Sequence, residues 1–159
     1  MRKLNVNDFA LKKSLLIPLV FLLFAGCNDA PVFPIEPEVT FVSITPTLAT
    51  QFTADQIELK IRYQDGDGDL GYDGDPVNNL FIVDTRAAFV SNPGRITAFA
   101  FASLTPKTKK PSIQGEMKVL LTTPPYEATQ EPLVYDVYIS DRAGHVSNVI
   151  HTTPITIQQ

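Results

Sequence analysis

The chain has 159 residues, with 13 basic and 17 acidic side chains and a net charge of −4, a length that fits one domain. This acidic balance argues against nucleic acid as a partner, because phosphates bind to basic faces. The single cysteine excludes an intramolecular disulfide.

Residues 1–26 have the pattern of a secretory signal peptide. The four basic side chains of this segment all lie before residue 14. Residues 15–26 form an apolar run of about a dozen residues that Pro18 interrupts. A membrane-spanning helix needs about 20 apolar residues. The run therefore argues against the alternatives, an uncleaved anchor helix or a buried core helix.

The apolar run ends in Phe24-Ala25-Gly26-Cys27, which resembles the lipobox of bacterial lipoproteins. The resemblance implies cleavage before Cys27, acylation of Cys27 with fatty acids such as palmitate, and attachment to the bacterial cell envelope. Asn28 follows the cysteine in place of aspartate, so a simple inner-membrane retention signal is not present. The outer membrane is the expected location, and the leaflet is left open.

Processing changes the charge of the chain. Loss of residues 1–26 removes four basic side chains and one acidic side chain, and leaves 9 basic and 16 acidic groups, a net charge of −7 over 133 residues. This charge argues against electrostatic adhesion to anionic lipid, so membrane contact is assigned to the lipid on Cys27. Residues 27–37 are predicted to be the lipidated cysteine and an extended tether, because three prolines favour an extended spacer.

From residue 38 to residue 159 the hydrophobic pattern repeats every second residue, which is typical of strands. In residues 56–63, Ile57, Leu59 and Ile61 alternate with charged side chains. Pro154 places the last strand at an edge or a bulge. The predicted strands are 38–44, 56–63, 79–84, 96–103, 116–121, 133–139 and 147–157. About seven short strands separated by turn-forming residues predict an all-β domain, a two-sheet sandwich.

Two motifs make this layout more specific. The segment Asp141-Arg142-Ala143-Gly144-His145-Val146-Ser147 resembles the final hairpin of Ig-like domains in bacterial surface proteins, with His145 in place of the usual asparagine. Together with Asp-Gly-Asp-Gly-Asp at 65–69, the layout resembles uncharacterised surface lipoproteins of Gram-negative bacteria. The resemblance implies an Ig-like sandwich and a surface location, and implies little about activity, because this fold hosts many functions.

The aspartate loop, residues 65–75, contains five carboxylates in eleven residues. Calcium is held by about six to eight oxygen ligands, which alternating Asp and Gly can supply. The spacing is not that of an EF-hand, because Leu70 and Pro76 occupy the positions that require Gly and Glu. An Ig-like sandwich would bring this loop to the same end as the loop of Asp141. The candidate calcium ligands are Asp65, Asp67, Asp69 and Asp141.

Two other interpretations of the aspartate loop stay open. Asp-Gly repeats form turns without any metal, and the loop can be solvated or neutralised by the nearby Lys107, Lys109 and Lys110. The second of these interpretations is a metal other than calcium.

Glu36 and Glu38 are expected at the same end of the domain as the aspartate loop.

No catalytic site is predicted. Ser140, Asp141, His145 and Ser147 are the residue types of a hydrolase triad, but they fall in one short turn without a G-x-S-x-G elbow. His145 and His151 do not have metal-ligand spacing, and without a free thiol a zinc site is not expected.

The function expected from these features is that of a lipid-anchored, non-catalytic structural or interaction module of the cell envelope. Its partner would be an envelope or extracellular protein, and calcium would stabilise it. The alternative is a glycan- or nutrient-binding surface lipoprotein, in which Tyr72, Tyr126 or Tyr138 stacks on a sugar. For Tyr138 a cross-strand pair is the simpler expectation.

Overall fold

The computed structural model describes residues 31–51, 56–86, 96–105, 111–126 and 132–159. Cys27, the predicted signal peptide and the three lysines at 107–110 lie outside these residues. Pro31–Gln159 form one compact unit, which contains the described part of the predicted tether. Across the described ranges, no helix is long and apolar enough to cross a membrane.

The fold is all-β, as the alternating pattern predicts. In chain order the strands are β1 (Glu38–Thr45), β2 (Leu48–Thr50), β3 (Gln56–Asp65), β4 (Leu80–Asp84), β5 (Ile96–Phe99), β6 (Ile113–Thr122), β7 (Tyr135–Ile139), β8 (Ile150–His151) and β9 (Thr156–Gln158).

The strands form two larger sheets and one small one. One sheet has the order β1-β3-β6 and the other β5-β4-β7-β8, both antiparallel throughout, while β2 and β9 pair in parallel. The arrangement is compatible with the predicted sandwich. The structure has more strands than the seven predicted, because β2 was not predicted and the predicted strand 147–157 contains both β8 and β9.

The core collects the inward residues of both larger sheets into one cluster. Ile57, Leu59 and Ile61 of β3 are fully buried, as their alternation with charged residues predicts. In β4, Leu80 and Ile82 are buried, and the strand lies between β5 and β7. Hydrophobic burial of these side chains is the main force that holds the sheets together.

The predicted last strand, 147–157, is in fact two strands with different partners. β8 pairs with β7, and after Pro154 the chain pairs through β9 with β2. Proline has no N–H to donate, so the ladder cannot continue through it. Ile155, fully buried, bridges to Leu133 at the point where the chain changes sheets.

One end of the fold brings the aspartate loop together with the loop that follows β7. Leu70 and Asp141 form an isolated antiparallel bridge, and the N–H of Arg142 donates to the carbonyl of Asp69 at 3.3 Å. Leu70 is fully buried, so the aspartate loop is anchored to the core by an apolar side chain. This end of the molecule is called the acidic tip below, and comprises the aspartate loop and residues 140–148.

Candidate metal centre

Three carboxylates meet at the acidic tip. Asp65, Asp69 and Asp141 each offer an oxygen, and these oxygens lie within 4.8 Å of one another. All three residues are buried, with relative exposures of 0%, 4% and 8%. The structure therefore brings together three of the four residues that the sequence predicts as calcium ligands. Asp67 is not in this group.

The positions of the three residues follow from the strands that carry them. Asp65 is the last residue of β3 and is paired with Ile113 at the start of β6. Asp141 comes two residues after the end of β7 and is held by its bridge to Leu70. Both strands are fixed by buried apolar residues, so the carboxylates lie on rigid supports although they come from distant parts of the chain.

Glycines allow the aspartate loop to fold back tightly. Gly68 and Gly71 have φ values of +66° and +84°, in the left-handed region that residues with a Cβ rarely adopt. The backbone of Gly71 also packs closely against the carbonyl of Ala102. The Oγ1 of Thr105 donates to the carbonyl of Gly68 at 2.6 Å and so closes the loop from the opposite side.

Asp65 is in an unfavourable position for a charged group. Among the described residues, neither of its carboxylate oxygens makes a well-formed hydrogen bond. Burial, and after it the charge of Asp67, raise the pKa of Asp65, although the nearby amides of Asp69 and Leu70 offset part of this shift. A buried carboxylate without good partners is costly unless it is protonated or bound to a cation.

Asp141 is oriented by His145. The backbone N–H of His145 donates to Oδ1 of Asp141 at 2.8 Å, and Nδ1 of the ring lies 2.7 Å from Oδ2. The hydrogen bond to Asp141 and its negative charge raise the pKa of His145. Each carboxylate oxygen has a second lone pair, so these bonds fix Asp141 and still leave it able to bind a cation.

The remaining acidic residues at the tip act from a distance. Asp67 raises the pKa values of both Asp65 and His145, and Glu36 also raises the pKa of His145. This places Glu36 near His145, and Glu38 pairs with the residue before Asp65 in β3. The lysines at 107–110, which were the alternative neutralising groups, lie outside the described residues.

The hydrolase-type residues do not form a triad. Asp141 and His145 are paired, but the Oγ of Ser147 accepts from the N–H of Ile139 and donates to the carbonyl of Asn148. His151 pairs instead with Asp136 at 2.6 Å between β8 and β7. The contacts of Ser147 fix the hairpin backbone, and the contact of His151 lies on the surface of the sheet. Neither Ser147 nor His151 contacts the three clustered carboxylates through these bonds.

A cavity next to the carboxylates was missed by sequence reasoning. It has a volume of about 310 Å³, and Tyr72, Asp73, Ser140, Asp141 and Arg142 contribute to its walls. The Nη1 of Arg142 donates to the carbonyl of Gly71 and to the Oγ of Ser103, both at 3.0 Å. The only sequence signal for Arg142 was its place in the hairpin motif. Its role in the wall of the cavity depends on contacts with residues far away in the chain, Gly71 and Ser103.

The donor set indicates which cation would fit. Three carboxylates are hard oxygen ligands, which favour calcium or magnesium, whereas thiolate and imidazole ligands favour zinc. The irregular loop resembles the flexible oxygen cages of calcium more than the strict octahedron of magnesium. Comparisons of the chain with protein-family models, with curated proteins and with solved structures find no match.

Proposed function

We propose that this chain is a lipid-anchored, non-catalytic module of the bacterial cell envelope, an Ig-like sandwich that calcium stabilises at its acidic tip. The observation that carries the calcium assignment is the fully buried carboxylate of Asp65, without a well-formed hydrogen bond among the described residues and adjacent to Asp69 and Asp141. A bound cation would neutralise the repulsion among the three.

Calcium would act on stability because only the folded chain assembles its site. Asp65 and Asp69 are far from Asp141 in sequence, and β-sheet pairing brings them together. A ligand that binds the folded state alone stabilises it by about 2.7 kcal/mol when its concentration is a hundredfold above Kd. For a domain of this size, that is roughly 10 °C in Tm.

The envelope assignment is supported by the sequence of the N-terminal segment. A basic region, a short apolar run and Cys27 in a lipobox-like motif together favour export and acylation. Each buried CH₂ of an acyl chain contributes about 0.8 kcal/mol to membrane binding. The module would contact an envelope or extracellular protein from this anchored position.

The test of the calcium assignment is thermal unfolding of residues 28–159, produced without lipid, in chelator and in millimolar calcium. We expect calcium to raise Tm clearly, and Asp65→Asn and Asp69→Asn to remove the rise. Asp75→Asn is the matched control, because Asp75 carries the same charge in the same loop but is exposed and outside the cluster. An unchanged Tm of the parent protein up to several millimolar calcium contradicts the assignment.

The cavity beside the site favours a second candidate, the binding of a glycan. Tyr72 supplies an aromatic face, and Asp73 and Arg142, 3.8 Å apart, supply the planar polar groups that sugar hydroxyls hydrogen-bond to. The volume of about 310 Å³ lies at the lower end of the range for small-ligand pockets.

Saturation-transfer NMR with neutral monosaccharides at millimolar concentration tests the glycan candidate. We expect signals from the parent protein and their loss in Tyr72→Ala. The control is Tyr138→Ala, because Tyr138 stacks on Phe81 across β4 and β7 with ring centroids 4.9 Å apart, which confirms the cross-strand pair predicted for it. Equal signals from both variants contradict binding in this cavity.

A further inference from the structure

The N-terminal tether passes across the aspartate loop. The carbonyl oxygens of Phe33 and Pro34 both approach Gly66, so closely that a Cβ at this position would collide with them. Gly66 lies between Asp65 and Asp67. The tether backbone thus packs on the segment that carries the buried carboxylate, and Phe33 is half-buried there.

The tether is also held where it enters the domain. Pro37 is buried, and Asn148 of the acidic tip bonds to Val39 in both directions. The N–H of Val39 donates to Oδ1 of Asn148 at 2.8 Å, and Nδ2 of Asn148 donates to the carbonyl of Val39 at 2.9 Å. Glu36 comes just before Pro37 in the chain. Its carboxylate is close enough to His145 to raise the pKa of that ring.

The three clustered carboxylates do not complete a calcium shell by themselves. Calcium takes about six to eight oxygen ligands, and three residues supply oxygens to the cluster. The tether places two more oxygens, the carbonyls of Phe33 and Pro34, against Gly66, the residue that follows Asp65 in the chain. The fully buried carboxylate of Asp65, which makes no well-formed hydrogen bond among the described residues, also points to a cation here.

We propose that calcium at the acidic tip and the docking of tether residues 33–36 on Gly66 are coupled, so that each strengthens the other. This inference rests on the proposed calcium site and adds its regulation. Calcium would fix the aspartate loop in the shape that receives the tether, and the docked tether would hold the loop in the shape that binds calcium. Coupling of this kind is reciprocal by thermodynamic necessity.

The coupling would matter for an anchored protein. With the tether docked, residues 33–36 are held on the aspartate loop and do not act as a spacer. Loss of calcium would release residues 33–36 and add them to the spacer between Cys27 and β1. The calcium concentration around the domain would then set how freely it moves relative to the membrane.

A Gly66→Ala variant separates the tether from the carboxylates. Gly66 has no positive φ, so alanine fits its backbone, but the new Cβ would meet main-chain atoms of Phe33 and Pro34 that cannot rotate away. The matched control is Ser112→Ala. Its Oγ donates to the carbonyl of Gly66 at 2.9 Å, so this change perturbs the same residue without pushing on the tether.

The first measurement is the calcium Kd of residues 28–159 by isothermal titration calorimetry. We expect Gly66→Ala to weaken binding about 5-fold or more, the lower end of typical coupling, and Ser112→Ala to change Kd less than about 2-fold. Equal Kd values for the parent and Gly66→Ala overturn the coupling while leaving the calcium site in place. Absence of calcium binding by the parent protein overturns both.

The second measurement observes the tether directly and needs no change at Gly66. Cys27 is the only cysteine, so Ile35→Cys in residues 28–159 takes a single nitroxide label at a position that is 52% exposed. We expect the electron paramagnetic resonance spectrum to show a mobile label in chelator and a restricted one in calcium. A label whose mobility is unchanged under saturating calcium overturns the coupling.

Discussion

Asp65 places a carboxylate in the interior at the end of β3, where no well-formed hydrogen bond reaches it from the described residues. Without calcium this group destabilises the fold, because a buried charge loses its hydration. We expect Asp65→Asn to stabilise the calcium-free protein by about 1 kcal/mol and to abolish its response to calcium. Calorimetric melting in chelator measures the first effect, and a variant less stable than the parent in chelator contradicts it.

The same residue predicts how stability depends on pH. Burial raises the pKa of Asp65 above its ordinary value of 3.8, so the folded state binds more protons than the unfolded state between the two values. The resulting stability is present below about pH 4 and is lost as the pH rises through the raised pKa. We expect the stability advantage of Asp65→Asn over the parent in chelator to grow as the pH rises.

Urea unfolding of both proteins in chelator between pH 4 and about 5.5 measures this difference. In that range His145, whose pKa is raised from 6.5 by Asp141, stays largely protonated in both the folded and the unfolded state and adds little slope. Calcium at the proposed site would compete with the proton on Asp65, so its affinity should weaken as the pH falls. A stability difference that is constant with pH contradicts the burial of an ionisable Asp65.

For individual residues, the sequence predicted the identity of most members of the candidate site but not their contacts. Asp65, Asp69 and Asp141 could be named because carboxylates spaced by glycines are visible in the chain. The separation of Asp67 from the cluster depends on the direction in which each side chain of the loop points, which residue spacing does not reveal. The role of Arg142 depends on the carbonyl of Gly71, about seventy residues away.

At the scale of elements, the end of β4 carries a buried ion pair. Asp84 and Arg86 are joined at 2.6 Å with side-chain exposures of 2% and 1%, and the Nη1 of Arg86 also donates to the carbonyl of Pro125. Removing one partner leaves an uncompensated buried charge. We expect Arg86→Met to lower the free energy of unfolding by about 3–5 kcal/mol, as measured by urea denaturation.

An exposed pair on the other sheet is the matched control. Arg62 of β3 and Glu116 of β6 are joined at 2.8 Å, and both side chains are 52% exposed. Solvent screens such a pair, so Arg62→Met should cost less than about 1 kcal/mol. Equal losses for Arg62→Met and Arg86→Met would show that the Asp84–Arg86 pair is not buried in solution.

The strongest strands were predictable and the shortest were not. Buried and less buried residues alternate along the whole of β7 and along β3 from residue 56 to residue 62, which is a local signal. β2 and β9 have three residues each and exist because they pair in parallel across more than a hundred residues. A strand of that length has no periodicity to detect, so its partner decides its existence.

At the scale of the whole molecule, the alternating pattern predicted the all-β class, and the assignment as an Ig-like module remains a proposal. The anchor is tested in cells. We expect the native protein to begin at Cys27, to carry acyl chains and to incorporate labelled palmitate, and Cys27→Ser to lose the label and the membrane association. Intact-mass spectrometry and membrane fractionation measure both, and a native protein that retains residues 1–26 contradicts the lipoprotein assignment.

We propose that the acidic tip holds calcium between Asp65, Asp69 and Asp141. The most direct test is a crystal structure of residues 28–159 grown in calcium, with an anomalous difference map. We expect one peak with oxygens of all three residues at about 2.3–2.6 Å from it. A map without that peak, with Asp65 hydrogen-bonded as a neutral carboxylic acid, would contradict the account.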